Sequence, residues 1–396
     1  MNSQAPEAAI AAWLATQHDA MVELLREMVQ IDSGSYLKSG IDAVGAVAER
    51  FLAAHGVPVE RLPQSVYGDC LRAAVPFDGA PSGPGNAGRN VVLMGHRDTV
   101  FPEGEVAARP FTIRDGVAYG PGVADMKAGL VMNCFVLAAF ARFGGAPAPL
   151  VGLFTGDEEI GSPEGRPVIE AEARQARVVF NSEPGRPTGN VVTGRKGGVF
   201  MVMRVTGKAA HSGANFADGI SAIEELAHKI IALHALTDLE RGITLNVGLI
   251  GGGQSVNTVA PAAEGQIDLR YVTPEDREEI MGRIADIVAR STVPGTRAVL
   301  EIRGEFVPLV QSPAARKLFE LYVESAAASG LSVAGEFAGG CADSGFTAAM
   351  GAPTLCATGP VGGKAHSPEE FLMLDSLVPR AQACARAILH LDEAGL

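Results

Sequence analysis

The spacing of apolar and polar residues predicts that strands and helices alternate over the first half of this 396-residue chain. Short apolar runs, typical of buried strands, lie at residues 91–94, 150–155 and 178–180. Segments with helical periodicity lie at residues 41–55, 127–143 and 163–175, and a connection rich in proline and glycine lies at residues 76–89. This alternation predicts an α/β fold, with a parallel or mixed sheet that carries helices on both faces.

The pattern changes after about residue 195. Strands are predicted at residues 199–205, 243–250, 263–272 and 299–303, and helices at residues 220–236 and from Pro274, with Thr273 as its N-cap. The resulting order, β-α-β-β-α-β, is the ferredoxin-like arrangement. A helix at residues 313–329 and further α/β pattern follow. We therefore predict a discontinuous domain of residues 1–194 and 305–396, interrupted by an inserted domain of residues 195–304.

Charge and composition exclude several classes of protein. The chain carries 32 basic and 45 acidic residues, and this net charge of −13 argues against nucleic acid or an anionic membrane as its main partner. Its five cysteines include no C-x-x-C pair, so we interpret them as reduced thiols. Residues 6–31 have the spacing of one amphipathic helix packed on a core, which differs from a signal peptide or a membrane span. We expect a cytoplasmic protein.

Seven acidic or histidine side chains lie at or near the predicted ends of strands and starts of helices: His96, Asp98, Asp125, Glu158, Glu159, Glu183 and His366. Because the carboxyl ends of neighbouring strands in an open sheet converge on one crevice, we expect these residues to meet in space. Two imidazoles with several carboxylates form the ligand set of a hydrolytic Zn²⁺ site, and they exceed what one ion needs. The sequence therefore predicts a dinuclear metallohydrolase.

Each of these residues also has a simpler structural interpretation. His96 and Asp98 are consistent with a turn histidine beside an N-capping carboxylate, and Asp125 with the N-cap of the helix that follows it. Glu183, just before Pro184, is consistent with an ordinary turn carboxylate. The shared position of these residues at strand ends favours the metal site.

Seven segments, in order along the chain, resemble the M20 family of co-catalytic zinc peptidases, and most closely its glutamate carboxypeptidase branch. They read GHRDTV at residues 95–100, YGPGVADMKAG at 119–129, TGDEEIG at 155–161, SEP at 182–184, GKAAHSG at 207–213, DLRY at 268–271 and HS at 366–367. The resemblance extends over nearly the whole chain. It implies a mixed-sheet catalytic domain with an inserted dimerisation domain.

The resemblance also implies a ligand set of two Zn²⁺ ions per subunit, although Mn²⁺ or Co²⁺ also suits a site rich in oxygen and imidazole. One ion would be bound by His96 and Glu183, the other by Glu159 and His366, and Asp125 would bridge them. In this family the peptide bond after the bridging aspartate, here Asp125–Met126, is often cis.

Three further residues have catalytic roles by the same resemblance. Asp98 would support His96, and Glu158 would be the general base that generates a metal-bound hydroxide. His211, in the inserted domain, would donate a hydrogen bond to the oxyanion across a homodimer; its structural alternative is a residue that shapes a glycine-rich turn.

The substrate-binding residues are less sharply defined. Asn257 and Arg270 match positions that line the family's pocket, and Arg303 aligns with a carboxylate-binding arginine, although each arginine is also consistent with a surface strand residue. The chain departs from the glutamate-specific pattern, because Asn190 lies where such members carry a lysine. Cys341 likewise replaces a glycine of the more usual motif.

We predict a homodimeric dizinc hydrolase for a small-molecule amide or peptide that carries a carboxylate near the scissile bond. The favoured reaction releases a C-terminal amino acid, glutamate first, from an N-acyl or N-aroyl amino acid. The alternatives are an aminoacylase, a dipeptidase or another small-amide hydrolase, and a non-catalytic metal-binding or peptide-binding protein. Glu158 favours an enzyme, because a binding protein needs no general base.

Overall fold

A computed structural model describes residues 4–77 and 89–396, and the chain forms two compact units. The first contains the chain up to Gly194, with Leu309–Ala338 and Ala342–Leu396. The second contains Arg195–Pro308 and the short segment Gly339–Cys341, so it extends a few residues beyond the predicted insertion of residues 195–304. Most of the predicted connection at residues 76–89 lies outside the described residues.

The described helices are α1 (Gln4–Ala15), α2 (His18–Val29), α3 (Lys38–Ala54), α4 (Glu105–Ala108), α5 (Gly129–Phe143), α6 (Arg166–Ala173), α7 (Ala222–His234), α8 (Pro274–Ala289), α9 (Pro313–Ala328), α10 (Ser344–Ala349) and α11 (Leu377–Leu389). Shorter, irregular helical turns lie at Val123–Ala128, Glu158–Ile160, Phe216–Asp218 and Leu374–Ser376.

The described strands are β1 (Val59–Leu62), β2 (Cys70–Ala74), β3 (Asn90–His96), β4 (Thr112–Arg114), β5 (Val117–Tyr119), β6 (Leu150–Thr155), β7 (Ala176–Asn181), β8 (Val191–Arg195), β9 (Gly197–Thr206), β10 (Thr244–Gly252), β11 (Ala262–Tyr271), β12 (Arg297–Phe306), β13 (Gly335–Ala338), β14 (Thr354–Cys356), β15 (Gly362–Gly363) and β16 (Phe371–Met373).

The first unit is built on an eight-stranded mixed sheet in the order β1-β2-β6-β3-β7-β14-β8-β13. Its centre is parallel, because β3 pairs in parallel with β6 and β7, and β7 pairs in parallel with β14. The outer pairs β1–β2, β2–β6 and β14–β8 are antiparallel. Every residue of β3, β6 and β7 is buried, as expected for strands covered by helices on both faces. The predicted mixed α/β sheet is therefore confirmed.

Helix α5 forms the centre of the core of the first unit. The stretch Val123–Phe143 is long and apolar enough to cross a membrane by length and composition alone, with a mean hydropathy of 1.6. However, 94% of that apolar window is buried inside the protein. A helix that is apolar on all sides and covered by its own domain is typical of a core helix.

The N-terminal helix predicted at residues 6–31 is wrong in one respect, because the structure has two helices there. The break follows α1, where the Thr16 hydroxyl donates a hydrogen bond to the Trp13 carbonyl oxygen at 2.7 Å and the Gln17 amide donates to the Leu14 carbonyl oxygen at 3.0 Å. These contacts tighten the last turn of α1 and end it. The apolar face continues on α2 and packs on the same core.

The second unit has the predicted order of strands and helices, β9-α7-β10-β11-α8-β12. Its antiparallel sheet has the strand order β10-β11-β9-β12. The first strand of the motif, β9, lies inside the sheet and pairs with the last strand, β12, which forms one edge, as in a ferredoxin-like fold. The Thr273 side chain caps α8 in a capping box with Asp276, and Pro274 occupies the first turn. Both the inserted fold and this helix start are confirmed.

Candidate metal centre

Three parallel strands end at the same level and bring the candidate ligands together. In the β3–β6 pair His96 lies opposite Thr155, so the turn that carries Glu158 and Glu159 starts beside the imidazole. In the β3–β7 pair Met94 lies opposite Asn181, two residues before Glu183. The expectation that strand ends converge therefore holds for these residues.

Two imidazoles face a common group of carboxylates. His96 Nε2 lies 3.2 Å from Asp125 Oδ1, 3.7 Å from Glu183 Oε1 and 3.8 Å from Glu158 Oε2. His366 Nε2 lies 3.0 Å from Glu159 Oε2 and 3.5 Å from Asp125 Oδ2. The two oxygens of Asp125 thus point to different histidines, which is the arrangement of a bridging carboxylate.

Asp98 supports both the imidazole and the turn behind it. His96 Nδ1 lies 3.0 Å from the Asp98 backbone oxygen and 3.3 Å from its Oδ1, so Nδ1 carries a hydrogen and Nε2 is the nitrogen available to a metal. The fully buried Asp98 carboxylate also accepts hydrogen bonds from the Ser35 hydroxyl at 2.7 Å and from the backbone amides of Glu158 and Glu159, each at 3.1 Å.

Glu370 fixes the turn that carries Asp125 through hydrogen bonds to its backbone. The carboxylate of this buried residue accepts hydrogen bonds from the backbone amides of Gly122 at 3.0 Å and of Ala124 and Asp125, each at 2.9 Å. The Asp125–Met126 peptide bond is cis, as the family resemblance implied.

A second buried carboxylate, Asp343, holds the turn that carries Glu158. It accepts hydrogen bonds from the hydroxyls of Ser162 and of Thr155, which lie on either side of that turn. Asp157 closes the same turn, because its Oδ2 accepts the amides of Glu164 at 2.7 Å and Gly165 at 2.9 Å. The turn that carries the Glu158 side chain is therefore fixed by hydrogen bonds to Asp343 and Asp157.

The electrostatics of the cluster reflect a surplus of buried negative charge. Burial and the nearby carboxylate of Glu183 raise the pKa of Glu158 well above its usual value, and burial with the charge of Asp125 raises that of Glu159 to about 7. Hydrogen bonds to Asp125 and Glu159 raise the pKa of His366 to about 10. Burial disfavours the charged form of His96. The nearby carboxylates of Glu158, Asp125 and Asp98 have the larger effect and raise the pKa of His96 as well. Protons on the histidines supply positive charge to this cluster.

These residues fit a site for divalent cations. Ligand atoms of two overlapping groups, His96-Asp125-Glu159 and His96-Glu158-Glu183, lie within 4.8 Å of one another. Glu159 Oε1 is buried without a hydrogen-bond partner, which is costly for a carboxylate oxygen unless another ligand satisfies it. Imidazole with carboxylate is a donor set that Zn²⁺, Mn²⁺ and Co²⁺ all accept.

His211 and Asn257 lie together in the second unit. An isolated antiparallel bridge joins His211 to Thr258, and the Ser212 amide donates to the Asn257 carbonyl oxygen at 3.0 Å. His211 Nδ1 accepts the amides of Gly213 and Ala214 at 3.1 and 3.2 Å, so its hydrogen is on Nε2. This exposed histidine is thus fixed as a donor through Nε2.

Arg270 and Arg303 are both paired within the second unit. Arg270 Nε and Nη2 bind the carboxylate of Asp268 at 2.8 and 3.0 Å, and Nη1 lies 2.8 Å from Cys341 Sγ. Arg303 Nη1 lies 3.1 Å from Glu301 Oε1, and its side chain is half exposed on a shallow cavity of about 230 Å³ beside Phe200.

Asn190, which takes the position of the family's lysine, is committed to a structural contact in the first unit. Its amide nitrogen donates to Glu336 Oε1 at 2.7 Å, and its oxygen accepts the Ala334 amide at 2.8 Å. Both ends of the side chain therefore join the start of β8 to β13.

Sequence reasoning missed three residues that brace the centre: Ser35, Asp343 and Glu370. Glu370 follows the motif HSPE at residues 366–369 and looks like the exposed Glu369 beside it. Asp343 lies in the glycine-rich motif at residues 339–344, directly before α10. Nothing at the level of local sequence distinguishes a buried carboxylate of this kind from a solvated one.

Comparison with known proteins assigns the chain to a family. The sequence model of peptidase family M20/M25/M40 matches residues 92–390. The chain is 27% identical over 384 residues to carboxypeptidase G2 from Pseudomonas sp. (strain RS-16), which covers 95% of this chain and 90% of that protein. It is 28% identical over 333 residues to acetylornithine deacetylase from Salmonella arizonae, which covers 78% of this chain and 82% of that protein.

Solved structures share the fold. The M20 family metallo-carboxypeptidase Sso-CP2 from Sulfolobus solfataricus superimposes with a TM-score of 0.74 at 18% identity, covering 93% of this chain and 98% of that chain. The di-peptidase Dug1p from Saccharomyces cerevisiae also gives a TM-score of 0.74, at 17% identity and with 99% of both chains covered. With the family model extending from β3 to the end of α11, the chain is a hydrolase that belongs to peptidase family M20/M25/M40.

Proposed function

We propose that the protein is a dinuclear metal-dependent hydrolase that releases a C-terminal amino acid, glutamate first, from N-acyl or N-aroyl amino acids. The observation that carries this proposal is the position of Asp125, with one carboxylate oxygen toward each of two histidines and Glu158 beside them. A metal-binding protein without activity would have no use for the additional buried glutamate.

The proposed ligands are His96 and Glu183 for one metal ion, His366 and Glu159 for the other, and Asp125 between them. The distances among these side chains and the unpartnered Oε1 of Glu159 support this division. When bound, such a pair of ions supplies Lewis-acid polarisation of the scissile carbonyl and an acidified water for the attack.

Glu158 would move the proton. Its carboxylate lies close to His96 without being one of the proposed ligands, and it takes a proton from the attacking water and passes it to the nitrogen of the leaving amine. The bracing of its turn through Asp98 and Asp343 supports this role.

His211 would donate to the developing oxyanion. Its Nδ1 is occupied by two backbone amides, so the Nε2 hydrogen is available without a change of tautomer. A fixed donor of this kind stabilises the transition state, because no reorientation is required at the moment of reaction.

The substrate carboxylate would be bound in the second unit, where Asn257, Arg270 and Arg303 remain the proposed residues. Arg303 is the more accessible arginine, since its side chain is half exposed, whereas Arg270 is held by Asp268 and Cys341. An arginine fork binds both oxygens of a carboxylate.

The second candidate is a deacylase of the same family with a different released residue. It is favoured by one observation: the Asn190 side chain is hydrogen-bonded at both its nitrogen and its oxygen within the first unit, and it lacks the positive charge of the family's lysine. The similarity to acetylornithine deacetylase is consistent with this alternative.

We also propose that the second unit mediates a homodimer. Leu249 and Ile250 on the edge strand β10 are 63% and 69% exposed, and Ile231 on the neighbouring α7 is 71% exposed. An exposed apolar edge strand is a liability that pairing with a second copy removes. Sedimentation of the protein across a tenfold concentration range, compared with Leu249→Lys, tests this proposal.

The free cysteines are consistent with a reducing, cytoplasmic location.

The function is tested by hydrolysis of a panel of amides. N-benzoyl-glutamate, folate-type conjugates and N-acetyl amino acids would be incubated with metal-loaded protein, with chelator-treated protein and with Glu158→Gln. Metal-dependent release of glutamate by the wild type alone would support the first proposal. Release of other amino acids only would favour the second candidate. Equal rates for wild type and Glu158→Gln would refute the catalytic role of Glu158.

A further inference from the structure

The carboxylate of Glu370 is buried against the backbone of the turn that carries the proposed bridging ligand. Oε1 accepts the amides of Ala124 and Asp125, and Oε2 accepts the amide of Gly122. These are the amides that begin the irregular turn Val123–Ala128, and one of them belongs to Asp125 itself. The contact therefore fixes the backbone from which the Asp125 side chain projects.

The same short segment carries His366. Residues 366–370 form a compact loop, in which the Glu370 amide donates to the Ser367 carbonyl oxygen at 3.2 Å and the Ser367 hydroxyl donates to the Lys364 carbonyl oxygen at 2.7 Å. Arg109 Nη1 donates to the Pro368 carbonyl oxygen at 3.0 Å and ties the loop to another part of the first unit. His366 thus lies at one end of the loop, and Glu370, at the other end, binds the turn that carries Asp125.

This connection links two side chains that must face each other. His366 Nε2 and Asp125 Oδ2 lie 3.5 Å apart, although they are far apart in sequence and belong to different elements. A displacement of the Asp125 turn relative to the loop would change that separation directly. Glu370 belongs to the loop that carries His366 and binds the turn that carries Asp125. Its carboxylate is therefore well placed to set the distance between these two proposed metal ligands.

We infer that Glu370 is a positioning residue for the metal centre, which holds Asp125 at the bridging position through three backbone hydrogen bonds. The inference rests on the proposed function, since it concerns the same metal site. It assigns a role in metal binding to a residue whose side chain binds only backbone amides of the Asp125 turn.

The test is Glu370→Gln, with Glu369→Gln as the matched control, because Glu369 is the exposed neighbour and the side-chain change is the same. A carboxamide has one acceptor oxygen, so at least one of the three amides loses its partner. We expect Glu370→Gln to bind Co²⁺ and Zn²⁺ about 10–100-fold more weakly in chelator competition, as is typical when a residue behind a metal ligand is removed. Glu369→Gln should match the wild type.

A spectroscopic measurement separates positioning from general stability. The visible absorption bands of the Co²⁺-loaded variant should shift or change in intensity, because they report the geometry of the ligands around the ion. A purely structural residue would lower the melting temperature and leave both the affinity at 20 °C and the spectrum unchanged, and this result would overturn the inference. If Glu370→Gln does not fold, Glu370→Asp, which keeps the charge and both acceptors, should show the same changes to a smaller extent.

The outcome does not depend on turnover. Unchanged affinity and spectrum in a folded Glu370→Gln protein would overturn the positioning role, whether or not the wild type hydrolyses an amide. A wild type that binds the metals but cleaves nothing would contradict the proposed function, while a weakened Glu370→Gln would still support the positioning role.

Discussion

Metal binding to the metal-free protein should release protons, because His366 is protonated at neutral pH and the carboxylates around His96 favour its protonated form. Hydrogen bonds to Asp125 and Glu159 raise the pKa of His366 to about 10, and the surrounding carboxylates raise that of His96 well above its usual value. Since pH 7 lies below the pKa of His366, this imidazole carries a proton that must leave before its Nε2 can bind a cation, and any proton on Nε2 of His96 must leave in the same way. Acid should therefore weaken metal binding, and alkali should strengthen it.

The expected size follows from counting these protons. His366 releases about one proton at pH 7, and His96 adds up to about one more. The pKa of Glu159, raised to about 7, adds about half a proton at pH 7 and nearly one at pH 6. The product of the two binding constants should then rise about tenfold per pH unit for each proton released, and therefore at least about tenfold per unit between pH 6 and 7.5.

Titration calorimetry measures the proton count directly. Zn²⁺ would be titrated into chelator-treated protein at pH 7 in PIPES and in Tris, whose ionisation enthalpies differ widely. The difference in heat, divided by the difference in ionisation enthalpy, gives the number of protons released. His366→Gln serves as the control and should release about one proton fewer. Equal heats in the two buffers, or a count below one for the wild type, would refute the assignment of protonated histidines to this centre.

Three further outcomes are expected. Glu158→Gln should lose about 10²–10⁴-fold in kcat while keeping its metal content, measured by atomic absorption, and a loss of metal instead would make Glu158 a ligand. His211→Ala should lower kcat by about 10²–10³-fold at unchanged metal affinity, and a change in KM alone would exclude an oxyanion contact. Burial raises the pKa of Asp157 to about 6 from 3.8, so the wild type loses stability as the pH rises from 4 to 6. The neutral Asp157→Asn should therefore be more stable at pH 8, by up to roughly 3 kcal/mol in urea unfolding of the metal-free protein, and no gain at pH 8 over pH 5 would contradict this.

The first unit's centre was predictable from the sequence because it obeys a general rule of parallel sheets. β6 has the bounds predicted from its apolar run. His96 ends β3, and Glu158 and Glu183 follow the ends of the adjacent strands β6 and β7. Local pattern is sufficient here, since the sheet itself brings the strand ends together.

The bracing of the centre could not be predicted, because it depends on contacts between distant segments. Glu370 and Gly122 become partners only when β16 and β5 pair in the small sheet β15-β16-β5-β4. Asp343 similarly reaches Ser162 from another part of the chain. Whether such a carboxylate is buried is decided by tertiary packing.

The pairing of one of the two arginines, in contrast, was readable from the sequence. Asp268 precedes Arg270 by two positions on β11, and Glu301 precedes Arg303 by two positions on β12. Side chains two apart on a regular strand point to the same face, which accounts for the Asp268–Arg270 pair. Arg303 lies at a β-bulge of β12, so its ion pair with Glu301 depends on the irregular backbone there. A substrate carboxylate bound at either arginine would compete with its acidic neighbour.

The insertion of the second unit has a consequence for how the protein is made. β14 lies inside the large sheet between β7 and β8, yet it is synthesised only after the second unit and α9. A nascent chain on the ribosome thus presents the edge of β7 unpaired until the segment after residue 354 emerges. The same late segment brings His366, so completion of the candidate metal centre and closure of the sheet are both delayed to the end of translation. A chain truncated after the second unit would have an open sheet and a centre without one of its two histidines.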